Sequence, residues 1–192
     1  MSLSQFVHLH NHTGYSLLDG SARISDLVDR AAELGMDSLA ITDHGTLFGL
    51  VEFYKACRSR DIRPILGCEV YVARDSRFDR RPRVDEERHH LILLAKNETG
   101  YRNLLKLVSA GCTEGFYYKP RIDFELLTRH HEGLVATSAC IAGQIPGQIL
   151  KGDLEGARAT ATAYRDLFGG DFYLELQDHG LREEKEANQH LI

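Results

Sequence analysis

The apolar residues of this chain come in short runs, and nearly every run ends on a residue that can bind a metal or move a proton. Phe6–Leu9, Ser38–Thr42, Pro64–Ala73, His90–Ala95, Gly133–Ser138 and Phe172–Leu176 read as six strands. Between them, Ser25–Leu34, Leu47–Arg60, Tyr101–Ala110 and Leu154–Phe168 repeat apolar residues at helical spacing. Alternation of strand and helix, with near-continuous apolar runs, predicts an α/β fold built on parallel strands covered on both sides. A helix starting near Gly180–Ile192 is expected to continue past the last residue.

The strand ends carry the chemistry. His8, His10 and His12 alternate, so a strand would put them on one face, and a His-x-His pair can hold one ion from a single strand. Asp43 and His44 follow the second apolar run, and Glu69 interrupts the third, where a lone carboxylate is costly to bury unless paired or ligated. His89 and His90 open the fourth, and Cys140 follows the fifth. Each residue has a plain alternative: His44 as a turn residue, Cys140 as a small hydrophobe, His89 or His90 as surface groups. Five successive strand ends of this kind favour a multinuclear metal centre. Imidazole, carboxylate and thiol donors together suit zinc, manganese or iron better than calcium or magnesium. Clustered ions of that type activate water and clamp phosphate oxygens.

Composition sets the boundaries. The 192 residues are 43% hydrophobic and 27% charged, enough for one domain with its own core. With 28 acidic against 23 basic residues the net charge is -5, so a general electrostatic grip on nucleic acid is not expected. No apolar run approaches the ~18 residues of a membrane span, and the sequence reads as that of a cytoplasmic protein. The four cysteines form no CxxC pair, which argues against a zinc ribbon or a disulfide framework. The charge-dense stretch Arg74–Arg88 is expected to be a solvated loop. Glu114–Arg121, "EGFYYKPR", mixes aromatics with Lys119 and Arg121; it reads as a packed loop, with contact to a nucleic acid as the alternative.

The strings "HNHTGYSLLDG", "ITDHGTLFG", "PILGCEVYVA", "HLILLAKNETGYRNLLKL", "EGFYYKPRID", "SACIAGQIP" and "YLELQDHGL" closely resemble the PHP (polymerase and histidinol phosphatase) domains found at the N-termini of bacterial DNA polymerase III alpha subunits. The resemblance covers essentially all of residues 1–192. It implies a distorted (β/α)7 barrel, incomplete here, with one strand and an Asp/His pair of ligands expected beyond Ile192. It implies a metal set of His10, His12, Asp19, His44, Glu69, His90 and Cys140 for two or three Zn2+ or Mn2+ ions. Glu69 would bridge; Glu69, His44 and Asp43 are the candidate catalytic residues, while His8 and His89 fall outside the match as neighbours. The activity implied is phosphodiester hydrolysis of a 3′–5′ proofreading kind within a DNA polymerase. DNA, other holoenzyme subunits and a proofreading subunit are the implied partners. An interaction module stabilised by its ions, or a phosphatase of the histidinol-phosphatase type, stands as the alternative.

Overall fold

The computed structural model describes residues 6–192. Six strands, β1 (Ser38–Ile41), β2 (Arg63–Ala73), β3 (Arg88–Ala95), β4 (Arg121–Ile122), β5 (Leu134–Thr137) and β6 (Phe172–Tyr173), form one sheet. Seven helices accompany them: α1 (Ile24–Glu33), α2 (Leu50–Ser59), α3 (Glu98–Thr113), α4 (Phe124–His130), α5 (Gln144–Leu150), α6 (Leu154–Phe168) and α7 (Arg182–Leu191). The main path runs β1-β2-β3-β5-β6. β2 is long enough, at 11 residues, that β1 pairs with its first half and β4 with its second.

The α/β class holds, but the expectation of uniformly parallel strands does not. β1 and β4 run parallel to β2, and β6 parallel to β5, whereas β3 is antiparallel to both β2 and β5. No helix intervenes between β2 and β3, so the chain returns by a loop and reverses direction. Both faces of β2 and β3 are nonetheless buried, which is why their apolar runs imitate a parallel sheet.

One face carries the larger core. Cys68, Val70 and Val72 of β2 and Leu91 and Leu93 of β3 pack with Leu104 and Leu107 of α3 and with residues of α4, α5 and α6. Each such fully buried Leu is worth roughly 1.5–3 kcal/mol in removal from water. A second cluster joins Leu39 and Ile41 of β1 to Ile24, Val28, Phe53 and Cys57 of α1 and α2. The alternate residues point the other way. There Glu69 sits opposite Ile92, Tyr71 opposite His90, and a small cluster of Ala40, Ile92, Leu94 and Ala139 closes the floor.

Phe6–Leu9 is not a regular strand. The segment lies along β1, where the Ala40 N–H donates to the His8 carbonyl at 3.0 Å and the Thr42 N–H to the Asn11 carbonyl at 2.9 Å. Ala40 and Thr42 are two positions apart but their partners His8 and Asn11 are three apart, so the ladder cannot continue. The Asn11 amide fills the gap by donating to the His8 and Ala40 carbonyls at 3.0 and 3.1 Å.

The stretch Arg74–Arg88 is more than a solvated loop. Arg77 and Asp85 are 5% and 3% exposed. Arg77 donates to Glu114, Asp123 and Glu125, and Arg81 grips Asp85 through its guanidinium and its backbone N–H. Arg121 is likewise taken out of contention for nucleic acid. It is buried at 1% exposure and donates to the carbonyls of Gly115, Asp85, Arg77 and Asp79.

Candidate metal centre

Glu69 is fully buried, and side chains from four separate parts of the chain converge on its carboxylate. His10 Nε2 and His12 Nε2 lie 3.0 and 2.9 Å from Oε2, and His44 Nδ1 3.3 Å from the same oxygen. His90 Nδ1 is 2.7 Å from Oε1, and the Cys140 thiol approaches Oε1 at 3.8 Å and His90 Nδ1 at 3.7 Å. Asp19 completes the group from the outside, with Oδ2 2.7 Å from His44 Nε2.

Local structure explains the placement. Beyond β1, the Glu69 N–H donates to the Asp43 carbonyl and the Gly45 N–H to the Glu69 carbonyl, which carries His44 alongside Glu69. Gly45 adopts φ +61, and a Cβ there would meet Pro120 Cγ at 2.7 Å; the turn that follows His44 therefore needs glycine. Gly20 has a different reason: a Cβ would come within 1.9 Å of the Thr13 carbonyl oxygen, so only glycine lets the Asp19 turn fold back. Past β5, Ala139 takes φ +57, and the Ala142 carbonyl accepts the His90 N–H at 3.0 Å, which swings Cys140 over β3.

All seven expected ligands are thus brought together. Asp43 is not among the converging groups. It is 2% exposed, and its carboxylate accepts the Thr13 N–H (2.6 Å), the Thr13 hydroxyl (2.8 Å) and the Ser16 hydroxyl (2.8 Å). Its oxygens are committed to the loop that carries His12 and Asp19, so it shapes the site from behind instead of facing it. His8 is exposed, edge-on to Phe6. His89 pairs across from Val72 and so points away from the cluster face.

Two contributors were not assigned a role from the sequence. Glu175 Oε1 lies 2.7 Å from His10 Nδ1, and the Gln177 amide donates to that same oxygen at 2.7 Å. Their signal was a carboxylate inside the sixth apolar run and an amide just past it, at alternate positions.

The electrostatics follow from crowding. Burial alone would raise the Glu69 pKa, but hydrogen bonds from His10, His12 and His90 outweigh it and hold the carboxyl far below its usual range. Burial would lower His10, yet its bonds to Glu175 and Glu69 raise it to about 9. His44 moves down, through burial first. Burial lifts the Cys140 thiol to about 11 and the neighbouring Tyr71 phenol to about 12.

The donor set suits a divalent ion. His10 Nε2 and His12 Nε2 face each other at 3.2 Å beside one carboxylate oxygen. His44 Nδ1 is buried and, although 3.3 Å from Glu69 Oε2, is not aligned to hydrogen-bond with it. His10, His12 and Glu69 form one group of closely spaced donors, and His44, Glu69 and His90 a second that shares Glu69. Beside them opens a groove of about 880 Å³, with Asp19, His44 and Tyr71 at the site end and Phe48, Phe116 and Lys119 farther out.

An α/β sheet that gathers imidazoles around one buried, shared carboxylate defines a class, and the PHP domain model matches residues 8–179. The chain belongs to the PHP domain family. Among its curated relatives, the DNA polymerase III subunit alpha of Treponema pallidum (strain Nichols) is 52% identical over 100% of this chain and 17% of its own length. That of Thermus aquaticus is 48% identical over 96% of this chain and 16% of its own length. The chain therefore spans about a sixth of these relatives. A solved structure of a candidate metal-dependent phosphoesterase from Bifidobacterium adolescentis overlaps 56% of this chain and 33% of its own at 24% identity and a TM-score of 0.40, too loose a likeness to argue from.

Proposed function

We propose that residues 1–192 act as the PHP domain of a DNA polymerase III alpha subunit in DNA replication, and that the Glu69 cluster holds two or three divalent ions, zinc or manganese, for phosphodiester hydrolysis at a DNA 3′ end. The observation that carries this reading is the convergence of four imidazoles on the two oxygens of one buried carboxylate. His10, His12 and the Oε2 side of Glu69 would hold one ion; His90, Cys140 and the Oε1 side a second, with His44 and Asp19 at the outer edge. Bound ions of this type supply positive charge for phosphate oxygens and lower the pKa of water.

The protein's own groups would do the remainder. Glu69, kept ionised by its imidazole neighbours, offsets the charge of the ions without taking up a proton at neutral pH. Tyr71, stacked 5.6 Å from His44 and raised to about 12, remains a neutral phenol beside the reacting phosphate. Phe116 and Tyr118 offer faces for unpaired bases, and Lys119, placed over Tyr71 at 5.6 Å, offers the local positive charge that the overall -5 withholds. Such a protein would work in the cytoplasm with DNA and the other holoenzyme subunits.

A second reading has its own support. Leu17 and Leu18 are 89% and 87% exposed next to Asp19, a surface suited to the polymerase body or a proofreading subunit, with the ions serving stability. Elemental mass spectrometry of the protein and its His10→Ala/His12→Ala variant, paired with a 3′-labelled oligonucleotide assay, separates the two. Ions lost in the variant together with hydrolysis support the enzyme. Ions retained by the parent without hydrolysis support the module, and a parent free of metal ends both.

A further inference from the structure

His10 and Glu175 lie 165 residues apart, yet their contact is among the shortest in the site. The proton arrangement can be worked out from the neighbours. Glu175 Oε2 accepts the Thr137 hydroxyl, and the Glu175 N–H donates to the Ser138 hydroxyl oxygen at 2.8 Å, which pins the residue to the end of β5. Oε1 faces His10 Nδ1 and the Gln177 amide nitrogen, each at 2.7 Å. Turning the Gln177 amide over would set its oxygen against a carboxylate oxygen, so the nitrogen must face Glu175. An unprotonated His10 Nδ1 could accept from the Gln177 nitrogen at 3.1 Å, but only by putting its lone pair against the same carboxylate oxygen at 2.7 Å, and the closer contact decides. His10 Nδ1 therefore carries the proton and donates it to Glu175. Without an ion, Nε2 donates a proton of its own to Glu69; an ion replacing that proton would find the lone pair on Nε2, the atom 3.0 Å from Glu69 and 3.2 Å from His12 Nε2, while Nδ1–H stays on Glu175.

We propose that Glu175, held by Thr137, Ser138 and Gln177, is a positioning residue that locks His10 into the Nδ1–H tautomer and so presents Nε2 to the ion shared with His12 and Glu69. The role rests on the metal-binding reading above. A hydrogen-bonded carboxylate behind a ligating imidazole fixes ring orientation and raises donor strength, and removal of such a partner weakens metal binding 10–100-fold. The arrangement also ties the N-terminal segment to the far edge of the sheet, since Thr137 ends β5 and Glu175 lies just beyond β6.

The test is Zn2+ affinity by competition with a chromophoric chelator, measured for the protein and for Glu175→Ala, Glu175→Gln and Thr137→Val. Alongside it, NMR would follow the downfield imidazole N–H proton that is absent from His10→Ala. Glu175→Ala should bind Zn2+ 10–100-fold more weakly and lose that resonance. Glu175→Gln, which keeps an acceptor, should fall between it and the parent, and Thr137→Val should show a smaller loss with the resonance broadened. A merely structural role would lower the melting temperature of the metal-free protein while leaving the affinity of the folded fraction and the resonance in place. Affinity within twofold of the parent in Glu175→Ala overturns the proposal. A parent that binds no Zn2+ overturns the metal-binding reading instead, and the resonance in the metal-free protein still decides whether Glu175 holds the His10 proton.

Discussion

Without the Glu69 carboxylate, four imidazoles would face one another across a buried gap, with only Asp19, Cys140 and Glu175 left to balance ions. Glu69→Ala is therefore expected to lower the metal content by more than one ion per chain, read by elemental mass spectrometry; loss of a single ion would contradict a shared ligand. Asp43 makes a different prediction. Replacing it by Asn leaves an NH2 group facing donors from Thr13 or Ser16, at a cost of about 1–3 kcal/mol in urea denaturation. An unchanged midpoint would show that the Thr13–Ser16 loop does not depend on it. Glu69 was legible in the sequence because a carboxylate inside an apolar strand stands out, and His10 and His12 because their spacing alone puts them on one face. The place of Asp43 behind the cluster and the role of Glu175 were hidden for a common reason. What each one touches, Thr13 and Ser16 in one case and His10 in the other, is set by chain crossings that no local spacing encodes.

At the scale of elements, the segment between β2 and β3 behaves as a clasp built from ion pairs. The Arg81 guanidinium and backbone hold the Asp85 carboxyl at about 2, below its ordinary 3.8. A carboxyl depressed on folding adds stability that is fully present above its ordinary value and disappears as pH falls toward its folded value. The clasp should thus loosen between about pH 4 and pH 2. Acid titration followed by circular dichroism should show a shallower limb in that window for Asp85→Asn; identical limbs would refute the assignment. Arg121→Met keeps the bulk but strands the carbonyls of Gly115, Asp85, Arg77 and Asp79. Hydrogen bonds from a charged donor are worth ~1.5–3 kcal/mol each, so the loss in denaturant melts should exceed ~3 kcal/mol. Sequence periodicity located β2, β3, α6 and most of the other elements, because amphipathic spacing is a local property. It did not reveal the direction of β3, which depends on a loop being too irregular to cross over. Nor did it reveal the short helices α4 and α5, whose seven residues barely complete two turns.

For the molecule as a whole, an ion held by groups from the N-terminal segment, β2, β3 and the loop after β5 should act as a cross-link. Metal added at about 100 times its dissociation constant should stabilise the fold by roughly 2.7 kcal/mol, and the gain should vanish in His10→Ala/His12→Ala. Differential scanning calorimetry with and without Zn2+ checks this, and an equal rise in both proteins would place the ion elsewhere. The distance in sequence between His10 and Glu175 has one more consequence, for the order of events during synthesis. His10 leaves the ribosome 165 residues before the carboxylate proposed to orient it. At roughly 5–20 residues per second the interval is on the order of 10–30 s. Through that interval the nascent chain displays imidazoles without the carboxylate behind His10, able to pick up whichever divalent ion is most available, and only the emergence of Glu175 turns that loose arrangement into a fixed seat.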